Sequence, residues 1–201
     1  MITKPETQLR KIVMGWELYK MTSSVKGGIV ECGVFHGDSL MRWSLFSEIN
    51  EDDRYLVGFD TFDKFPEAMN EGDSAAREKF ISINGDTSSN MHEIRQLLAS
   101  NGCGHRMELI PGDIRMTIPA FVKQRPQFRI ALMNMDVDLY EPSSVILEYL
   151  YPLLSEGGII ICDDYNIFPG ETQAVNEFCQ KENLTLKVLQ QFRVYYIQKG
   201  V

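Results

Sequence analysis

The chain has 201 residues, 44% of them hydrophobic and 24% charged, a composition that suits one soluble globular domain and sets disorder aside. A formal net charge of -8, with no cluster of Lys and Arg, excludes general attraction to phosphate backbones or anionic lipid surfaces, so neither nucleic acid nor membrane is an expected partner. The polar segment 1–10 lacks a signal-peptide core, and Cys32, Cys103, Cys162 and Cys179 show no C-x-x-C spacing, so the expectation is a cytoplasmic protein with buried, reduced thiols.

Leu9, Ile12, Val13, Trp16 and Leu18 recur at roughly helical spacing and predict an opening amphipathic helix over 6–21. Short apolar runs bounded by turn signals follow at 28–34, 55–60, 107–111, 130–136 and 158–163 and read as buried parallel strands. Helical stretches at 39–50, 88–100, 116–123 and 142–154 alternate with them, the last with Pro142 in its first turn and Gly157-Gly158 past its end. A helix at 171–181 then precedes strand-like runs at 184–189 and 193–198, whose short link predicts an antiparallel hairpin. The expected fold is α/β and Rossmann-like, a single domain over 1–201: a seven-stranded, mostly parallel sheet with a C-terminal antiparallel hairpin and helices on both faces. Residues 65–89 interrupt this alternation with a long polar, acidic excursion carrying at most a short helix at 75–80, a length that reads as a lid or substrate loop.

Glu31-Cys32-Gly33 ends the first strand and Gly37-Asp38-Ser39 opens the next helix, which places backbone N–H groups and a helix N-terminus at the carboxyl edge of the sheet. The Gly-x-x-x-Gly spacing lacks the middle glycine of dinucleotide sites and disfavours NAD. Asp60, ending the second strand, is placed to accept hydrogen bonds from ribose hydroxyls, and Asp113, after the third, lies where an adenine edge would sit. Glu31 reads either as a cofactor contact or as a carboxylate bonded to turn amides. The candidate cofactor residues are therefore Glu31, Cys32, Gly33, Gly37, Ser39, Asp60 and Asp113.

The fourth strand runs into Asp136-Val137-Asp138 and the fifth into Asp163-Asp164, and in such a sheet these strand ends are neighbours. Carboxylates so close repel one another unless some are protonated or a hard divalent ion binds between them, Mg2+ before Ca2+ or Mn2+. Alternation leaves Asp136, Asp163 and Asp164 as the preferred ligands, provided the chain turns at once after Asp163, with Asp138 behind them or on a helix N-terminus.

The blocks Val30-Glu31-Cys32-Gly33-Val34-Phe35-His36-Gly37-Asp38-Ser39, Gly58-Phe59-Asp60-Thr61-Phe62, Met135-Asp136-Val137-Asp138-Leu139-Tyr140-Glu141-Pro142-Ser143 and Asp163-Asp164-Tyr165 make the chain resemble the macrocin O-methyltransferase, or TylF-like, family. The resemblance spans most of the chain from Gly27 onward, although the chain is short for that family. It implies a class I methyltransferase fold, S-adenosylmethionine as cofactor, a sugar-containing small-molecule substrate, and Mg2+ on Asp136, Asp163 and Asp164. Asp136 is the expected proton acceptor, with His36, His92 and His105 as lesser alternatives, and Tyr140 and Tyr165 either stack on a sugar ring or pack on helices. A catechol-type acceptor and a catalytically silent cofactor-binding scaffold stay open, as does assembly into a homo-oligomer.

Overall fold

The computed structural model describes residues 5–69, 71–103 and 106–200, so His105 lies outside the described residues. Its elements run α1 (Pro5–Met21), β1 (Gly28–Cys32), α2 (Asp38–Ile49), β2 (Leu56–Asp60), α3 (Glu71–Asn84), α4 (Met91–Ser100), β3 (Met107–Pro111), α5 (Ile114–Gln124), β4 (Ile130–Met135), α6 (Tyr140–Leu150), β5 (Leu154–Cys162), α7 (Pro169–Glu182), β6 (Lys187–Leu189) and β7 (Val194–Gln198). The strands form one seven-stranded sheet in the order β3-β2-β1-β4-β5-β7-β6. β1 pairs in parallel with β2 and β4, β4 in parallel with β5, and β7 runs antiparallel to β5 and β6, which is the predicted hairpin edge.

Period-two alternation divides the buried side chains between two helical layers. Val30, Cys32, Val57, Phe59, Met133, Met135, Ile160 and Cys162 face the layer of α5, α6 and α7. Ile29, Leu56, Leu132, Ile159 and Ile161 face the opposite layer, where α1, α2 and α4 contribute Leu18, Trp43, Phe46 and Ile94. The sheet reverses its direction of growth between β1 and β4, and a crevice opens at their carboxyl ends, as expected at such a switch point.

Several expectations change. β1 and β4 stop at Cys32 and Met135, so Gly33, Val34 and Asp136 stand in loops, free of strand geometry. α6 ends at Leu150 and a 3-10 turn over Tyr151–Leu153 leads into β5, which begins at Leu154; Gly157 and Gly158 therefore lie inside that strand instead of stopping a helix. A Cβ at Gly158 would stand 2.8 Å from the Ser155 carbonyl oxygen and 3.1 Å from that of Ala131, so close backbone approach explains this glycine. α4 starts at Met91, not 88, because Asn90 and Glu93 form a capping box. The largest correction is α3, a 14-residue helix where only a short one over 75–80 was expected. Its polar sequence gives little periodic signal, and tertiary docking holds it.

Candidate active site

A cavity of about 310 Å3, within the range of small-molecule sites, opens over the carboxyl ends of β1 to β5. Its floor includes Gly33, Asp136, Asp138 and Asp163, one wall carries Asp60, Gly112 and Asp113, and the 65–89 excursion roofs it with Phe65, Pro66, Phe80 and Ser88. Phe80 of α3 stacks on Phe65 at 5.1 Å and meets Phe35 edge-on at 5.9 Å, while Arg77 donates to the Phe65 and Pro66 carbonyls. Asp73, buried on α3, accepts from the Tyr140 N–H at 2.7 Å, and a Cβ at Gly170 would run into that carboxylate.

Gly33 takes φ 90, and a Cβ there would collide with the Asp136 carbonyl, so glycine is needed where the β1 loop crosses the β4 loop. The Asp136 N–H donates to the Cys32 carbonyl at 3.0 Å, locking the two loops together. Asp60 holds the next joint. One of its oxygens accepts from the Val34 and Phe35 amides at 2.8 and 2.9 Å. The other accepts from the Phe62 amide at 2.7 Å and the Ser88 hydroxyl at 2.9 Å. Protein donors surround the Asp60 carboxylate, which lines the cavity and holds together the loops around it.

The other candidate cofactor residues divide by position. Gly33 and Asp113 line the cavity, but Asp113 caps α5 through the Arg115 N–H at 2.9 Å and forms a two-pronged ion pair with the Arg115 guanidinium. These hydrogen bonds, stronger than the opposing effect of burial, hold the Asp113 carboxyl below its usual range. Cys32 faces the α5–α7 core instead of the cavity, and burial pushes its thiol up. Gly37 takes φ 83 at the start of α2 and turns toward Ile94 and Leu97. Neither Cys32 nor Gly37 is among the residues lining the cavity, because strand parity and a tight helix entry turn them elsewhere. Ser39 donates to Glu31, which also accepts from Asn134 at 3.5 Å; turn amides are not its partners. Glu31 is fully buried, burial pushes its carboxyl up to about 8, and among the described residues its Oε2 has no hydrogen-bond partner.

Because β4 and β5 pair, their following loops bring Asp136, Asp163 and Asp164 together, with one carboxylate oxygen from each inside a 4.8 Å span. The chain turns immediately after β5, where the Ile167 and Phe168 amides donate to the Asp164 carbonyl, so Asp163 and Asp164 converge instead of diverging. Burial, reinforced by Asp163, Asp164 and Glu31, pushes the Asp136 carboxyl well above the usual carboxylate range. Burial and the charge of Asp136 push Asp138 up to about 8. Asp163 feels the opposing positive charges of Lys11 and Arg42, from α1 and α2.

Three participants escaped the sequence reading. Lys11 lines the cavity from α1, although only its helix was predicted. Glu171, in the first turn of α7, is fully buried and accepts from the Asp164 N–H at 3.0 Å. Asp73 sits in the unexpected helix. An acid in a first turn reads from sequence as a solvated partner of the helix dipole, and the only hint of burial was the preceding Gly170. The tyrosines follow the packing alternative: the Tyr140 hydroxyl donates to Glu177 and the Tyr165 hydroxyl to Asn176, with Tyr165 packed on Tyr195 at 4.7 Å. His36 is exposed, hydrogen-bonded to Ser89 and lying on Phe35, and His92 is exposed on α4; neither lines the cavity.

Comparison with known proteins agrees with this architecture. The chain is 32% identical, over 73% of its length and 56% of the relative's, to the 8-demethyl-8-(2,3-dimethoxy-alpha-L-rhamnosyl)-tetracenomycin-C 4'-O-methyltransferase of Streptomyces olivaceus. It is 30% identical, over 79% of its length and 60% of the relative's, to the demethyldecarbamoylnovobiocin O-methyltransferase of Streptomyces niveus. It thus spans less than two thirds of either relative. The structure superposes on CalS11, a calicheamicin methyltransferase also described as a TDP-rhamnose 3'-O-methyltransferase, with a TM-score of 0.84 at 27% identity, covering 97% of this chain and 80% of that one. The expected class I methyltransferase fold is therefore present. Residues 11–198 match the family model of macrocin O-methyltransferase (TylF), and the chain belongs to the macrocin O-methyltransferase (TylF) family.

Proposed function

We propose that this chain is an S-adenosylmethionine-dependent, Mg2+-assisted O-methyltransferase that acts in the cytoplasm on a hydroxyl of a sugar-bearing small molecule. One observation carries the reading: three carboxylates converge within 4.8 Å, and two of them, Asp136 and Asp163, line the same cavity as Gly33 and Asp60. The all-oxygen donor set suits a hard divalent ion, and the buried, partnerless Oδ2 of Asp164 is an atom that a ligand would satisfy. The partnerless Oε2 of Glu31 fits an ammonium group in the same way. Four free, buried cysteines suit a reducing compartment, and among the described residues no helix is long and apolar enough to cross a membrane.

In this reading Asp136, Asp163 and Asp164 hold the cation, which when bound polarises the acceptor hydroxyl and neutralises the acids around it. S-adenosylmethionine supplies the electrophilic methyl group. Asp136, on the cavity floor, takes the hydroxyl proton at a carboxylate oxygen as the acceptor oxygen attacks. Gly33, Asp60 and Asp113 shape the adenosyl side, with Asp60 acting by fixing its loop; Cys32, Gly37 and Ser39 serve that side indirectly, through strand packing, helix entry and the hold on Glu31. The excursion 65–89 closes over the acceptor and excludes water, and the sugars named for the relatives set the substrate class.

The test is methyl transfer from S-adenosylmethionine to a panel of TDP-rhamnose, rhamnosylated aglycones and catechols. Transfer to a sugar hydroxyl that stops with EDTA and returns with Mg2+ supports the reading. Full activity in metal-free buffer removes the cation, a catechol preference moves the substrate class, and cofactor binding without turnover on any acceptor favours a silent scaffold.

A further inference from the structure

We infer that Glu171 is a positioning residue for the cation site proposed above: it braces the turn that presents Asp164. The inference rests on that reading of the acids and adds a residue outside the ligand set. Glu171 is fully buried in the first turn of α7, a position where an acid ordinarily stays in water and interacts with the helix N-terminus. Here the side chain turns inward. Its Oε1 accepts from the Asp164 N–H at 3.0 Å, while its own N–H donates to the Asp138 carbonyl at 3.3 Å. One residue thereby ties the loop after β5 to the loop after β4, the two stretches that carry the converging acids.

The rest of the turn is closed from the same helix. The Asn166 amide donates to the Thr172 hydroxyl at 2.9 Å, and Asn166 takes a left-handed φ of 65. Glu171 and Thr172 together fix how far the chain bends between Cys162 and Pro169. Without that bend, strand alternation would send Asp163 and Asp164 to opposite sides.

An ordinary packing role does not account for the arrangement. A buried carboxylate is costly unless paired, and among the described residues no basic side chain pairs with Glu171. Its closest charges are those of Asp164 and Asp136, and its Oε2 is buried without a partner. Residues that orient ligands without touching the metal typically change its affinity by about 10- to 100-fold when removed.

Two mild substitutions separate the brace from its charge. Glu171→Gln keeps an oxygen able to accept from the Asp164 N–H and loses the charge, whereas Glu171→Asp keeps the charge and falls one methylene short of that amide. The measurement is binding of Mn2+ alone to the full chain, followed by the electron paramagnetic resonance of free Mn2+, with thermal melts in EDTA to verify folding. Glu171→Gln is expected to bind within a few-fold of wild type and Glu171→Asp about tenfold more weakly or worse. Wild-type affinity in Glu171→Asp, or a loss in Glu171→Gln as large as in Glu171→Asp, overturns the brace. A wild-type chain that takes up no more Mn2+ than Asp163→Asn sinks the cation reading itself, and this inference with it.

Discussion

At one end of the cavity Asp60 is ringed by donors, its two oxygens accepting from three backbone amides and the Ser88 hydroxyl. At the other end Asp136, Asp138, Asp163, Asp164 and Glu171 crowd together, their carboxyls pushed upward by burial and, for all but Asp163, by neighbouring acids, with two of their oxygens lacking a partner among the described residues. Both regions consist of acids at the carboxyl edge of the same sheet. Their difference lies in who supplies the compensation. The chain itself satisfies the Asp60 end, which is preformed; at the β4–β5 end Lys11 and Arg42 offset only part of the crowding, which is what makes it a place for a ligand.

If that contrast is right, substitutions at the two ends fail differently. The largest effect falls at the crowded end: Asp136→Ala should lower methyl transfer by at least about a thousandfold, since proton acceptor and cation ligand vanish together, while calorimetry still finds S-adenosylmethionine bound. At the satisfied end, Asp60→Asn should act first on the fold. It weakens charge-assisted bonds to three amides, at a cost of about 2–3 kcal/mol, and lowers the melting temperature by roughly 5–10 °C. Asp60→Asn with an unchanged melt and lost cofactor affinity would erase the distinction. Next comes the ligand response: Mg2+ at about 100 times its Kd should add about 2.7 kcal/mol of stability to the wild type and far less to Asp164→Asn, read as the shift in melting temperature.

The smallest effect concerns Asp113, another internally satisfied acid. Asp113→Ala removes an N-cap and should cost about 1 kcal/mol. Hydrogen bonds from Arg115 depress this carboxyl when folded, so its contribution is complete above the ordinary carboxylate pKa and fades as pH falls through its lower folded value. Melts of wild type and Asp113→Ala should therefore converge in acid, at the low side of pH 4.

Periodicity and strand-end chemistry made much of this legible in advance. Alternating runs gave the parallel strands, a link of a few residues gave the hairpin, and the neighbouring ends of β4 and β5 followed from sheet order, which brought Asp136 to Asp163 and Asp164 before any coordinates. What escaped depended on tertiary docking. α3 carries little periodic signal and gains its place from Asp73 and Phe80, contacts that no local pattern carries. Glu171 looked like any first-turn acid, whereas Cys32, read as a buried strand residue, does face the core. Asp60 was found at its strand end, but its partners lie in loops at residues 34–35, 62 and 88, whose meeting is a property of the fold.

The collision that a Cβ at Gly170 would make with Asp73 has a mechanical meaning. The roof helix is pinned where α6 and α7 begin, directly after the loops that carry the acids, so roof and floor share one anchor. The position of α3 is thereby coupled to the starts of α6 and α7. A single added carbon at position 170 would pry up that anchor, so drift at this residue would change access to the pocket while leaving every acid in the sequence unaltered.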